Sequence, residues 1–220
     1  KGGTITVKAG SLSLDQGAKL NTMTSSAAEG AGAGGVISLK ANTISLDTKA
    51  ITTAATEGAG IGGTIQVSTD TLNIKGGSQL STAATGAGNA GNIQINTAVS
   101  RDLTIGFDAV KPQDSGQISL INAKTTAGGA GGLISVGSSA NAKAITIGGY
   151  GSMTAETKGT GQGGDINLNG SMIQMSQATT TAQTSGSGKG GTITVKAGSL
   201  SLDQGAKLNT MTSSAAEGAG

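Results

Sequence analysis

The 220 residues contain no cysteine and no histidine, one proline, one phenylalanine and one tyrosine. Without cysteine there is no disulfide and no thiol nucleophile, and without histidine the usual general base near neutral pH is missing. The 14 basic and 12 acidic residues leave a formal net charge of +2. With so few charges and rings, the composition argues against nucleic-acid binding, and we expect neither an enzyme nor a cofactor. No apolar run approaches the length of a membrane span.

Glycine is abundant, with 40 copies, and such a composition is often found in disordered segments. The apolar residues are nevertheless Ile, Leu and Val in short alternating runs. In GGTITV, for example, Ile5 and Val7 alternate with Thr4 and Thr6. A period of two is typical of strands with one dry and one wet face, and no window shows the period of a helix. The sequence therefore predicts an all-β protein.

A strand that follows glycine recurs along the chain, at intervals of 27 to 41 residues. Its first isoleucine occupies seven positions: Ile5, Ile37, Ile65, Ile93, Ile134, Ile166 and Ile193. Each interval holds a second apolar strand, predicted at 11–14, 43–46, 71–74, 102–105, 144–147 and 172–175. A third, more polar strand is predicted at 19–22, 50–53, 79–82, 117–120 and 152–155.

Three short strands per coil predict a right-handed parallel β-helix, a β-solenoid, with about six coils in 188 residues. The variable coil length argues against a left-handed hexapeptide helix, and crossovers between parallel strands strongly favour the right hand. Stacked coils would bury their inner residues in ladders along the axis. We expect the ladders Ile5/Ile37/Ile65/Ile93 and Leu14/Leu46/Ile74/Ile105.

The chain repeats its own beginning, because residues 189–220 are identical to residues 1–32. We interpret 1–188 as one full tandem repeat of six coils and 189–220 as the first coil of the next, with no separate domains. The prediction is a segment of a longer array in which the sequence after Gly220 resembles residue 33 onward. Further copies of the repeat, stacked end to end in one chain, are then the first expected partners.

The segments AGSLSLDQGAKLNT at 9–22 and TAATGAGNAGNIQI at 82–95 resemble repeats of filamentous-haemagglutinin-like exoproteins. The resemblance covers nearly the whole chain as a pattern and is weaker at 106–130 and 137–151. It implies a passenger of two-partner secretion that folds outside the cell as a right-handed β-helix. It also implies adhesive or structural work at the cell surface, and it implies no catalytic residue.

Stacked acids are the candidates for a cation site. Asp15 and Asp47 fall at the same corner of neighbouring coils, and Glu29 and Glu57 stack in the return loops. Carboxylates at coil spacing could share a cation, or they could be solvated corner charges, and the sequence leaves both open. For Arg101, a local ion pair with Asp102 is expected rather than a catalytic role.

Threonines expected on the outer faces raise the possibility of ice binding, with rows that include Thr4, Thr6, Thr22, Thr24 and Thr64. In later coils the equivalent outer positions hold other residue types, such as Val36, Gln66 and Leu133. Because threonine is also a good exposed strand former, we interpret these rows as ordinary strand surface.

One irregular segment, GFDAVKPQDSG at 106–116, lengthens a coil to 41 residues. It is predicted to be a loop insertion whose contact residues are Phe107, Asp108, Lys111, Pro112 and Asp114. The alternative is a tolerated insertion in which Phe107 folds back to cap a corner. Deleting 107–115 is expected to leave the solenoid folded.

These patterns predict a structural protein that forms a long extracellular or cell-surface fibre, with possible lateral fibre contacts. The alternative is an adhesin that binds a carbohydrate or a cell-surface receptor through repeated outer faces, where many weak contacts add up to avidity. Neither interpretation includes a metal, a cofactor or a nucleic acid.

Overall fold

The computed structural model describes residues 2–25, 32–96, 101–111, 117–138 and 143–213. In these residues all regular structure is β-strand, and the strands follow one another in groups of three. Each group is one coil of a parallel β-solenoid, and the described strands make up seven coils. Because no helix is present in this part of the chain, none is available to cross a membrane.

Coils 1 to 4 contain the first twelve strands, three per coil in chain order. These are β1 (Thr4–Lys8), β2 (Ser11–Leu14), β3 (Lys19–Asn21); β4 (Val36–Lys40), β5 (Thr43–Leu46), β6 (Ile51–Thr53); β7 (Thr64–Ser68), β8 (Thr71–Ile74), β9 (Gln79–Ser81); β10 (Asn92–Ile95), β11 (Leu103–Gly106) and β12 (Ser119–Asn122).

Coils 5 to 7 contain the other nine strands. These are β13 (Leu133–Val136), β14 (Ala144–Gly148), β15 (Gly151–Thr157); β16 (Asp165–Asn169), β17 (Met172–Ser176), β18 (Thr179–Thr184); β19 (Ile193–Lys196), β20 (Ser199–Asp203) and β21 (Lys207–Thr212).

Three sheets of seven strands run along the solenoid. The first strands of the coils form the first sheet, β1-β4-β7-β10-β13-β16-β19, and the second and third strands form the second and third sheets in the same coil order. Every pairing between these strands is parallel. The all-β parallel solenoid is therefore confirmed, while its right-handed winding stays a prediction.

The predicted isoleucine ladder of the first sheet is confirmed. Each isoleucine pairs with the isoleucine of the next coil, from Ile5 through to Ile193. Its inner members are fully buried, and neighbouring apolar ladders complete one continuous core. Since a coil buries its inner face only against its neighbours, the residues of coils 1 and 7 at the ends of the stack are less buried.

The predicted ladder of the second sheet is correct for three coils and wrong for the fourth. Leu14, Leu46 and Ile74 pair in succession, but Ile105 pairs with Leu72 instead of Ile74. The register between β8 and β11 thus differs from the predicted one by two residues. Because side chains alternate with a period of two, such a shift keeps the inner residues inside. The same shift places Phe107 in the core after Ile105.

The third sheet departs most from prediction. The strand expected at 117–120 lies at Ser119–Asn122, and its inner residue is Ile121 rather than Ile118 or Leu120. The sixth coil has a third strand that the pattern does not predict, β18, with the polar sequence TTTAQT. Thr22, expected outside, is buried.

A column of glycines explains why a glycine stands just before each first strand. A Cβ added to Gly35 would collide with the carbonyl oxygen of Gly3 in the coil below, and Gly63 stands in the same relation to Gly35. The same collision occurs at Gly91, Gly132, Gly164 and Gly191. At this edge the coils approach too closely for any side chain, so glycine is required there by packing.

Threonines close the glycine-rich return loops. The hydroxyl of Thr24 donates to the carbonyl oxygen of Ala33 at 3.0 Å, and the hydroxyl of Thr157 donates to Gly129 at 2.7 Å. Bridge pairs place Thr24, Thr56, Ala84, Thr125 and Thr157 in one row along the axis. Of the threonines expected on the outer faces, Thr24 therefore holds a loop carbonyl, whereas Thr4 and Thr6 are exposed strand residues.

Candidate contact surface at the insertion

The corner between the second and third strands is a turn capped by aspartate. In coil 1 the carboxylate of Asp15 accepts a hydrogen bond from the backbone N–H of Gln16 at 2.6 Å, and in coil 2 Asp47 accepts one from Thr48 at 2.7 Å. Both donors have positive φ, 52° and 48°. The side chains of Asp15 and Asp47 thus stabilise left-handed turn residues, a role for which aspartate is suited.

The cation alternative receives no geometric support from these acids. Glu57 is exposed, Glu29 lies outside the described residues, and no group of three or more acids that could hold a metal ion is found in the described part of the chain.

In coil 3 the capping aspartate is replaced by Lys75, and Asp108 from the insertion takes its place. The carboxylate of Asp108 accepts a hydrogen bond from the N–H of Gly76 at 2.8 Å, the equivalent of the Gln16 and Thr48 donors. Its other oxygen accepts the hydroxyl of Ser119 at 2.5 Å. Asp108 therefore ties the insertion to the corner below it and to the first residue of β12.

Phe107 lies inside the solenoid. Its side chain belongs to the core and the residue is 3% exposed. The ring fills the space over Gly151, where an added Cβ would overlap ring carbons. The backbone is fixed as well, because the N–H of Phe107 donates to the carbonyl oxygen of Gly148 at 2.8 Å.

The five predicted contact residues are therefore not equivalent. Phe107 and Asp108 attach the insertion to the solenoid, as in the alternative in which Phe107 folds back onto a corner. Lys111 is exposed. Pro112 and Asp114 lie outside the described residues. Deletion of 107–115 would remove a core ring and a turn cap, so the expectation that the deleted chain still folds stays a prediction, and the structure argues against it.

The exposed surface beside the insertion was not predicted. Ile118 is 52% exposed and separates two hollows, of about 380 and 310 Å³. One hollow is lined by Lys49, Ile51, Gly77, Gln79 and Gln117, and the other by Tyr150, Gly151, Ser152, Gln177 and Thr179. We call these residues, together with Ile118, the Ile118 surface.

Tyr150 occupies a fixed position on the Ile118 surface. Its hydroxyl accepts a hydrogen bond from the amide of Gln177 at 3.1 Å, and its N–H donates to the carbonyl oxygen of Asp108 at 2.6 Å. The ammonium of Lys111 lies 6.0 Å from the centre of the tyrosine ring, at the outer limit of a cation–π contact. The Ile118 surface could not be predicted from the sequence pattern. Its residues come from coils 2 to 6, and the shifted register between β8 and β11 decides which of them lie side by side.

Two ion pairs between described residues connect neighbouring coils. Arg101 pairs with Asp70 of the coil below at 2.8 Å rather than with Asp102, which accepts the N–H of Ala144. Lys124 pairs with Glu156 at 2.9 Å. Both ion pairs therefore link residues of adjacent coils.

The environment of Glu156 shifts the pKa of its carboxyl group. Burial raises its pKa, but hydrogen bonds from Lys124 and Gln183, the charge of Lys124 and a hydrogen bond from Ser185 lower it by more. The net result is a pKa below the usual value for glutamate. The ionised form is therefore the one the fold stabilises.

These features define a β-solenoid in which the insertion of coil 4 is fixed to the corner by Phe107 and Asp108. In comparisons with protein-family models, curated proteins and solved structures, nothing matches the chain. The resemblance to filamentous-haemagglutinin-like exoproteins therefore stays a prediction that rests on the repeat pattern.

Proposed function

We propose that this chain is a segment of a structural fibre, built from tandem solenoid repeats and displayed outside the cell. In this proposal the coils wind with the right hand and the repeats stack within one chain. Extension by stacking needs no ligand, because each new coil buries the inner face of the previous one. A chain without cysteine also suits export before folding, since no disulfide can form on the way.

The observation that carries the proposal is the pairing of coils with repeated sequence. Residues 189–213 have the sequence of residues 1–25, and they form a three-stranded coil paired to β16, β17 and β18. The same sequence in coil 1 pairs on its opposite edge with β4, β5 and β6 of coil 2. One coil sequence thus accepts a neighbour on either side, as a continuous array requires.

Chains with one, two and four copies of the 188-residue period would test the fibre proposal. We expect the distance between labelled ends, measured on single tethered molecules, to grow in proportion to the number of periods. A stiff stack of six coils adds about 29 Å per period at a strand spacing of ~4.8 Å. Growth with the square root of the number of periods, as for a flexible linker, would reject the proposal.

A second candidate function, adhesion, is favoured by the Ile118 surface. It combines an exposed apolar residue, a fixed tyrosine and several amide side chains, a mixture typical of recognition sites. In a tandem array it would recur once per period, and weak binding to a glycan or a receptor would gain from avidity.

Substitution of Ile118 by Ser tests the adhesive candidate without disturbing the anchors Phe107 and Asp108. The matched control is Ile61→Ser, because Ile61 is also an exposed isoleucine and lies in a return loop away from the surface. Binding of multi-period chains to cell surfaces or glycan arrays should fall only for the Ile118 variant. If the two variants bind equally well, or if both lose binding, the Ile118 surface is not the binding site.

A further inference from the structure

The outer face of the second sheet carries no charge over six coils. Its strands β2, β5, β8, β11, β14 and β17 contain no charged residue, whereas strands of the other two sheets include Lys40, Asp165 and Glu156. Most outward side chains of these six strands are serine, threonine or glycine. Charged residues are depleted in the centre of protein interfaces, and a face without charges loses little hydration free energy when a partner covers it.

Two neighbouring columns of residues shape this face. The pairing from β5 to β14 places four threonines in one column, Thr43, Thr71, Thr104 and Thr146. The next column lies two residues further along each strand and includes Gly148, where an added Cβ meets nothing within 4 Å. A hollow of about 250 Å³ lies at Gly148, beside Thr146 and Gln174. A ridge of threonine side chains thus runs beside a hollow.

Charges border the face on both edges, and their order reverses between two coils. In coil 2, Lys40 precedes β5 and Asp47 follows it. In coil 3 the order is opposite, because Asp70 precedes β8 and Lys75 follows it. Coil 1 has the order of coil 2, coil 4 has both signs at its first edge, and the residues next to β14 and β17 include no acid.

A second copy of the chain fits both the shape and the charges of this face. A two-fold axis parallel to the solenoid, midway between the two columns, brings the second sheets of two copies face to face at the same coil level. Thr146 of each copy then lies opposite Gly148 of the other. The first edge of one copy lies opposite the second edge of the other, so Lys40 meets Asp47 in coil 2. Asp70 meets Lys75 in coil 3, and the reversed order keeps both contacts attractive.

We propose that two copies of this chain associate side by side and in parallel through the outer faces of their second sheets. Antiparallel pairing would instead place the first edges of both copies against each other, and these edges are mainly basic. The inference names the lateral partner and the face for the fibre proposed above, and it rests on that proposal for chains longer than one period.

The size of the face determines how tightly the copies associate. Strands of four or five residues over seven coils span about 15 by 34 Å, so pairing buries about 1,000 Å² in total. This area is at the lower limit for a specific interface, and a chain of two periods nearly doubles it. We therefore expect weak dimers of the 220-residue chain and much tighter dimers of two-period chains.

Sedimentation equilibrium of the 220-residue chain, at concentrations up to about 1 mM, measures the association. Raising the salt from about 0.05 to 0.5 M should weaken the dimer, because salt screens the edge contacts. Lys75→Glu places an acid opposite Asp70 and should raise the dissociation constant about tenfold, since each dimer contains this contact twice. Lys158→Glu is the matched control with the same change in net charge, because Lys158 is exposed in a return loop after the third sheet. It should leave the dissociation constant unchanged.

Thr146→Lys tests the face itself. The lysine would bring an unpaired charge against the hollow at Gly148 of the other copy, so the dimer should be lost. Ser135→Lys is the control, since Ser135 is an outward residue of the first sheet in the same coil. This control should associate like the unmodified chain, and both variants should keep the circular dichroism and melting temperature of the unmodified chain.

Three results would overturn the proposal: a 220-residue chain that stays monomeric up to about 1 mM at low salt, association that strengthens with salt, or equal effects of the test and control variants. Failure of the fibre proposal has a different signature. Two-period chains that are stiff but remain single reject lateral pairing alone, whereas flexible chains that still pair reject the fibre alone.

Discussion

At the scale of the residue, glycine has a packing role as important as that of isoleucine. Ile37, Ile65 and Ile93 fill the lumen, and the glycine column lets the coils approach at the edge where each first strand begins. The inner positions that face this column are also small. They include Thr22, Ala54 and Ala123, whose Cβ atoms lie close to the positions of missing glycine side chains. The low complexity of the sequence is thus a consequence of close packing.

Gly63→Ala should therefore destabilise the solenoid more than its size suggests. The added methyl collides with the backbone carbonyl of Gly35 and lies 2.9 Å from the Cβ of Ala54, and neither atom can move without shifting a coil. We expect a loss of about 3 kcal/mol in the free energy of unfolding, measured in denaturant. Gly148→Ala, whose added Cβ has nothing within 4 Å, is the control and should change stability by less than about 0.5 kcal/mol.

Glu156 gives the fold a dependence on pH. Its pKa is lower in the folded chain than in the unfolded chain, so its stabilising effect is complete above the unfolded value of about 4.3. That contribution is lost as the pH falls through the lowered folded value. Glu156→Gln, which removes a charged partner from Lys124 and Ser185, should cost about 2 kcal/mol at pH 7.

Denaturant titrations between pH 7 and pH 2 measure this effect, with Glu57→Gln as an exposed control. The difference between the unmodified chain and Glu156→Gln should shrink below about pH 4.3 as the unmodified chain loses its advantage. A difference that stays constant down to pH 2 would show that the ion pair does not titrate with folding.

At the scale of the element, the shifted register of β11 is the feature that shapes the contact surface. It moves Ile105 beside Leu72, brings Phe107 into the core and delivers Asp108 to the corner of coil 3. The strand after the insertion then begins at Ser119, which leaves Ile118 outside.

Cysteine pairs can report this register, because the chain has no cysteine of its own. Thr71 and Thr104 are paired residues, so Thr71→Cys with Thr104→Cys should form a disulfide under mild oxidation. In Asn73→Cys with Thr104→Cys the Cα atoms are about 8 Å apart, given the strand spacing and rise, and the disulfide should form poorly. Faster crosslinking of the second pair, followed by gel mobility, would favour the unshifted register instead.

The sequence predicted correctly those strands whose apolar pattern allows only one alignment with the neighbouring coil. The isoleucine ladder was predictable because Gly-Gly precedes it in nearly every coil. The register of LTIGF was not, because Leu103, Ile105 and Phe107 satisfy a period of two in either alignment. β18 was missed because TTTAQT contains no large apolar residue, and the turn cap by Asp108 depends on a contact between coils that no local pattern records.

At the scale of the whole molecule, the solenoid is a stack with one axis, and its properties repeat along that axis. Contacts lie between neighbouring coils, so stability, length and the spacing of the Ile118 surface all depend on the number of coils. The identity of residues 189–213 with 1–25 means that the stack meets the same edge again after six coils. The central claim is that the strands lie across the long axis and that coils follow one another along it.

X-ray diffraction from aligned rods of chains with four 188-residue periods tests this claim most directly. The account predicts a reflection near 4.8 Å along the rod axis, from the spacing of paired strands, and a long axial repeat of about 29 Å from six coils. A 4.8 Å reflection perpendicular to the rod axis would contradict the account, since the strands would then run along the rod instead of across it.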